Sequence, residues 1–103
     1  MNTQTLFEVA GYVFDYRART LGYGNGYIRR LTPIESDLLL FFCEKQNQLV
    51  SRVDILQRVW GREDRFKARS MDVFVTMLRK YISPNSMLSL ESIRGKGYIF
   101  HVK

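Results

Sequence analysis

The chain has 103 residues, 46% hydrophobic and 14% aromatic, with 16 Lys and Arg against ten Asp and Glu for a formal net charge of +6. That length supports one domain with one modest core, and the lack of Pro/Gly/Ser-rich runs or an internal period excludes a disordered chain and a repeat array. The longest apolar run, Leu38 to Cys43, falls far short of the ~18 residues that span a bilayer, and the polar start MNTQT is no signal peptide, so the expectation is a soluble, cytoplasmic protein with no membrane partner.

The charge is unevenly spread. Residues 1–60 hold seven Lys/Arg and six Asp/Glu, a net of +1, whereas residues 61–103 hold nine and four, a net of +5. A basic C-terminal part points towards an anionic partner. One cysteine, Cys43, forms no internal disulfide, and with one histidine, His101, it cannot supply three or four ligands, so no metal and no cofactor are expected. No nucleophile motif, P-loop or paired carboxylate accompanies His101, and the chain reads as a non-enzyme.

In chain order, the first thirty residues predict short strands at LFEV, YVFD, ARTLGY and GYIRRL, separated by Gly11, Gly22, Gly24 and Gly26, because Tyr, Phe, Val and Ile favour strands and glycine favours turns. TPIE then opens a helix: Thr32 caps it, Pro33 takes the first position, where a missing N–H costs nothing, and Glu35 closes a capping box. Its LLLFF run makes it the central core element. QNQLVS has room for one very short strand. A second capping box, Ser51 to Asp54, predicts a second helix packing through Val53, Leu56, Val59 and Trp60 and ending at Gly61. The charged loop GREDRFKA follows. Ser70 is expected to cap a third helix, with Asp72 complementing its positive end and Pro84 closing it. Finally, LSLESIRGKGYIF is two apolar runs around R-G-K-G, a hairpin with a cationic tip.

Sheet, three helices and hairpin make an α+β winged helix-turn-helix: residues 1–5 as a linker, 6–31 as a four-stranded antiparallel sheet, 32–83 as a three-helix core and 86–103 as the wing. The competing reading is a small α+β domain whose hairpin only covers the core.

The third helix carries more apolar residues than one buried face needs. Met71, Val75, Leu78 and Ile82 recur as a helical stripe for the core. At ~100° per residue, Arg69, Val73, Thr76, Met77 and Lys80 fall on the opposite side, flanked by Phe74 and Tyr81 on one edge and Asp72 and Arg79 on the other. A helix in a major groove meets phosphates at its margins and base edges in its middle. Arg69, Ser70, Arg79 and Lys80 suit the margins, and Val73, Thr76 and Met77 suit thymine methyl groups. A protein-binding patch of Val73, Phe74 and Met77 is the competing account. At the hairpin tip, Arg94 and Lys96, framed by Gly95 and Gly97, suit a minor groove, and Tyr98 could donate to a phosphate.

Four blocks, LTPIESDLLLFF, DILQRVWG, RSMDVFVTMLRKYI and LESIRGKGYIF, resemble in order and spacing the OmpR/PhoB-type effector domain of bacterial two-component response regulators, over nearly the whole chain. The resemblance implies binding to double-stranded promoter DNA, usually as head-to-tail pairs with a second copy on direct repeats, and a phosphorelay in which a receiver domain precedes this one. It implies phosphate contacts for Trp60, Arg69, Ser70 and Arg79, a base contact for Val73, and minor-groove or backbone contacts for Arg94 and Tyr98. It further implies an RNA-polymerase-facing loop over residues 61–68, exposing Arg62, Glu63, Asp64, Arg65 and Lys67. Phe74, Thr76 and Met77 stand where relatives often carry polar or basic residues, which implies fewer guanine contacts. The chain is expected to be an excised effector half rather than a free-standing relative. The alternative function is a winged-helix module that docks RNA polymerase and touches DNA weakly.

Overall fold

The structure is a computed structural model that describes residues 4–61 and 65–103, with residues 65–68 described in backbone only. Strands β1 (Leu6–Val9), β2 (Tyr12–Asp15), β3 (Thr20–Gly22) and β4 (Ile28–Arg30) form an antiparallel meander in that order. Alternation sets which side faces in: Phe7, Val9, Tyr12, Phe14 and Leu21 are buried, and Phe7 lies opposite Phe14 with its ring stacked on it. Ala10 and Gly11, both at positive φ, make the tight β1–β2 turn.

Helix α1 (Pro33–Glu44) begins as the sequence dictates. Thr32 Oγ1 accepts from the Glu35 N–H at 3.2 Å, and Glu35 Oε1 accepts from the Thr32 N–H at 2.8 Å. Glu35 is buried, and its other oxygen accepts from the Tyr81 hydroxyl at 2.9 Å, so the cap also ties α1 to the third helix. Leu38, Leu39, Phe41, Phe42 and Cys43 are all buried. Burial pushes the Cys43 thiol up to about 12, which leaves it a small core hydrophobe without thiolate character at neutral pH. Thr32→Ala is expected to lower stability by about 1 kcal/mol in urea denaturation, since it leaves the Glu35 N–H without its acceptor.

The short strand expected in QNQLVS is β5 (Leu49–Ser51), and it leads into α2 (Arg52–Ile55), continued by a π-helical turn, Leu56–Trp60. Two expectations change here. Ser51 Oγ accepts from the Asp54 N–H at 3.0 Å, but only this half of the second capping box forms, because aspartate is one methylene shorter than the glutamate that reaches back in α1. Val53 is 39% exposed, and Ile55 is fully buried instead; Val53 sits in the first turn, and the wide turn after it brings Ile55 and Leu56 inward together. Gly61, in the left-handed conformation, ends the segment.

Helix α3 runs Arg65–Ile82, so its expected start at Ser70 is wrong by more than a turn. Arg, Lys and Ala are strong helix formers with no glycine or proline among them here, and they outweigh Ser70 as a cap. Arg65 and Lys67 therefore belong to the helix and not to a loop, and Asp72 lies well inside it; Arg62, Glu63 and Asp64 lie outside the described residues. The predicted stripe holds: Met71, Val75, Leu78 and Ile82 are each at most 2% exposed.

Strands β6 (Leu88–Ile93) and β7 (Gly97–Val102) form the hairpin, and β7 is central in a sheet of order β5-β7-β6. Gly97 lies opposite Ser51, and a Cβ there would fall 1.9 Å from the Val50 carbonyl oxygen. One continuous apolar core includes residues from both sheets and all three helices. No helix among the described residues is long and apolar enough to cross a membrane.

Candidate nucleic-acid interface

The core stripe of α3 forces its opposite face outwards. Arg69, Val73, Thr76 and Lys80 are exposed, Val73 at 61%, and Met77 is half-buried. Asp72, Val73, Thr76 and Met77 line a shallow hollow of about 270 Å³ on this face. The Thr76 hydroxyl donates to the Asp72 carbonyl at 2.9 Å, turning its methyl group away from the backbone. The middle of the face is thus apolar, and its ends, Arg69 and Lys80, are cationic.

Phe74 and Trp60 behave differently. Both are partly buried against the core, with ring centroids 6.2 Å apart. They hold the π-helical turn against α3, and Phe74 sits at the edge of the outward face rather than within it. Ser70 is half-buried within the helix.

The wing is fastened to α3 at two points. Arg79 Nε donates to the Leu90 carbonyl at 3.0 Å and its Nη2 to Ser92 Oγ at 3.1 Å, which pins β6. Tyr98 on β7 is 5% exposed, and its hydroxyl donates to Asp72 Oδ1 while accepting from Arg52 Nη1 at 3.2 Å. Arg52 in turn grips Asp72 with two bonds, 2.7 and 3.2 Å. The Tyr98 proton is therefore committed inside the protein, at variance with its expected role as a phosphate donor, and Asp72 is a junction of three elements rather than a helix-end charge. Arg52 is the residue that sequence reasoning missed. Its partner is 20 positions away, and no local pattern links the two.

At the tip, Arg94, Gly95 and Lys96 are exposed. The Lys96 N–H donates to the Ile93 carbonyl at 2.9 Å, and Gly95 takes the positive φ that this turn needs. Among the described residues, Arg69, Lys80, Arg94 and Lys96 have no ion-pair partner, whereas Arg52 and Arg58 are paired with Asp72 and Glu44. These four cations lie on the outward face of α3 and on the wing that Arg79 and Tyr98 hold beside it.

The Arg52 guanidinium, with help from the Tyr98 hydroxyl, holds the Asp72 carboxyl below its ordinary value of 3.8. A depressed folded-state pKa adds stability that is fully present above the unfolded value and is lost as pH falls through the folded one. The side chain is half-exposed, so the contribution is modest. Asp72→Asn is expected to flatten the decline in stability between about pH 5 and pH 2, read by urea denaturation at stepped pH; an unchanged slope would remove the ion pair from the account.

The chain is similar to known proteins over most of its length. The family described as "Transcriptional regulatory protein, C terminal" matches residues 26–100. The response regulator ArlR of Staphylococcus epidermidis is 37% identical over 95 residues, 91% of this chain but 43% of that protein. Thus the chain spans less than half of that relative's length. The DNA-binding domain of Bacillus subtilis CssR superposes with a TM-score of 0.75 at 38% identity, over 86% of this chain and 98% of that one. The DNA-binding domain of Escherichia coli CpxR does so at 0.82, over 96% and 98%, at 24% identity.

Proposed function

The chain belongs to the family of transcriptional regulatory protein C-terminal domains, the OmpR/PhoB-type DNA-binding domains of response regulators, and from that premise we propose that it reads promoter DNA with α3 in the major groove and the wing in the minor groove. The observation that carries this reading is the grouping of four exposed cations, Arg69, Lys80, Arg94 and Lys96, around a central strip of Val73, Thr76 and Met77. Phosphates lie at a groove's margins and thymine methyl groups on its floor, which matches that order of charge and carbon.

Within this reading Arg69 and Lys80 neutralise phosphates, Ser70 and the free edge of Arg79 add to the margin, and Val73, Thr76 and Met77 touch base edges. Trp60 and Phe74 shape the helix pair, and Tyr98 acts through Asp72 by fixing the wing. The intact protein carries a receiver domain N-terminal to this one and works in a two-component phosphorelay in the cytoplasm. It pairs with a second copy on direct repeats. RNA polymerase is met through residues 61–68, where Arg62, Glu63, Asp64, Arg65 and Lys67 lie.

A salt titration tests the DNA reading. Log Kd against log salt is expected to rise steeply, by about 0.9 per phosphate neutralised, and Arg94→Ala or Lys80→Ala should each lower that slope by about 1. A flat plot would favour a protein-docking module.

A further inference from the structure

A second site borders the reading face and shares Lys80 with it. The turn between β3 and β4, the β1–β2 turn and the C-terminal end of α3 enclose an open cleft of about 730 Å³. Its walls include Tyr12, Tyr23, Tyr27 and Tyr81, and among the described residues its charged lining is Arg29 and Lys80. Tyr12 packs edge-on against Tyr23 at 4.6 Å, and Tyr23 stacks on Tyr27 at 5.4 Å. Asn85 Nδ2 donates to the Ala10 carbonyl at 2.8 Å, tying the segment after α3 to the β1–β2 turn along the cleft wall.

Arg29 is the feature that asks for a ligand. Its guanidinium carbon lies 4.2 Å from the Tyr81 ring centroid and 5.8 Å from that of Tyr27, and its Nε donates to the Tyr23 hydroxyl at 3.1 Å. Those three contacts fix the plane of the guanidinium. Its two Nη groups have no acceptor among the described residues, and no carboxylate lines the cleft. Glu35, whose two oxygens accept from the Thr32 N–H and the Tyr81 hydroxyl, does not line the cleft. A held, forked donor with an open edge matches a carboxylate in bidentate fashion.

We propose that this cleft docks an acidic peptide segment of a partner protein, with one carboxylate on the Nη edge of Arg29, a second acid near Lys80, and an apolar or aromatic side chain against Tyr27. Charge complementarity argues for the acid, since the lining carries two cations and no anion. The tyrosine walls argue for a peptide over a nucleic-acid backbone. Rigid aromatic surface beside an arginine is what protein-binding hot spots are built from, whereas a phosphodiester has no side chain to cover it. The rim extends the same way: Tyr27 and the adjacent Ile28 are 53% and 62% exposed.

The test uses the ¹⁵N-labelled domain and three probes: the blocked tetrapeptide Glu-Asp-Phe-Glu, its neutral analogue Gln-Asn-Phe-Gln, and a DNA duplex. The acidic peptide is expected to shift Arg29 Nε–H and the amides of Tyr23, Tyr27 and Tyr81 saturably, with the neutral peptide at least tenfold weaker. Arg29→Gln should weaken peptide binding at least tenfold, and Arg29→Lys, which keeps the charge and loses the fork, several-fold. Both variants should bind duplex DNA as the parent does, which separates this site from the reading face. The proposal is overturned if the peptide shifts only residues 69–80 and the wing, if both peptides bind equally, if Arg29→Gln binds the peptide as the parent does, or if the duplex rather than the peptide moves the Tyr23, Tyr27 and Arg29 resonances.

Discussion

Gly97→Ala is expected to destabilise the domain by about 3 kcal/mol, the largest stability loss foreseen for the addition of a single methyl group. The new Cβ would sit 1.9 Å from the Val50 carbonyl oxygen and 3.0 Å from Ser51 Cα, and both are backbone atoms that cannot rotate aside. Relief requires β5 and β7 to separate, and β7 is the middle strand of its sheet. Gly95→Ala supplies the control. Gly95 also has a positive φ, but nothing lies within 4 Å of an added Cβ, so only backbone strain of about 1 kcal/mol is expected. Urea denaturation of both variants checks the difference; equal losses would mean that conformational strain, and not the close approach to β5, makes Gly97 necessary.

Val73→Glu is expected to weaken DNA binding about a hundredfold, some 3 kcal/mol, with the fold intact. The position is 61% exposed and turned away from the stripe of Met71, Val75 and Leu78, so glutamate has room in the free protein. In the groove it would bring a carboxylate among phosphates, with the cations Arg69 and Lys80 already engaged. Val73→Ala, which removes two methyl groups, should cost about 1 kcal/mol and only on sites that place a thymine beneath it. Circular dichroism and fluorescence-detected binding on two duplexes, with and without that thymine, distinguish the variants. Parent-like affinity of Val73→Glu would take α3 out of the groove.

How much of this was legible beforehand follows from the range of each interaction. The α1 cap, the strand alternation around Phe7 and Phe14, and the α3 stripe depend on neighbours within a few residues, so periodicity and capping rules reach them. The start of α3 was misread because Ser70 has the chemistry of a cap, and its context of Arg, Lys and Ala had to be weighed against it. The Arg52–Asp72–Tyr98 junction and the Arg79 clamp on Leu90 and Ser92 join residues far apart in the chain, and only the folded arrangement shows them. They change the roles of Tyr98 and Asp72 from ligand contact and end charge to supports of the wing. The tyrosine cleft was unforeseen for the same reason, since Tyr23, Arg29 and Tyr81 meet only once β3, β4 and α3 pack together.

The most direct measurement of the central claim is a ¹⁵N chemical-shift titration of the domain with a duplex recovered by binding-site selection. The largest shifts are expected on Arg69, Val73, Thr76, Met77 and Lys80 of α3 and on Arg94 to Lys96 of the wing, in one saturable process. Large shifts confined to the outer strands of the N-terminal sheet, with α3 and the wing tip unmoved, would contradict it.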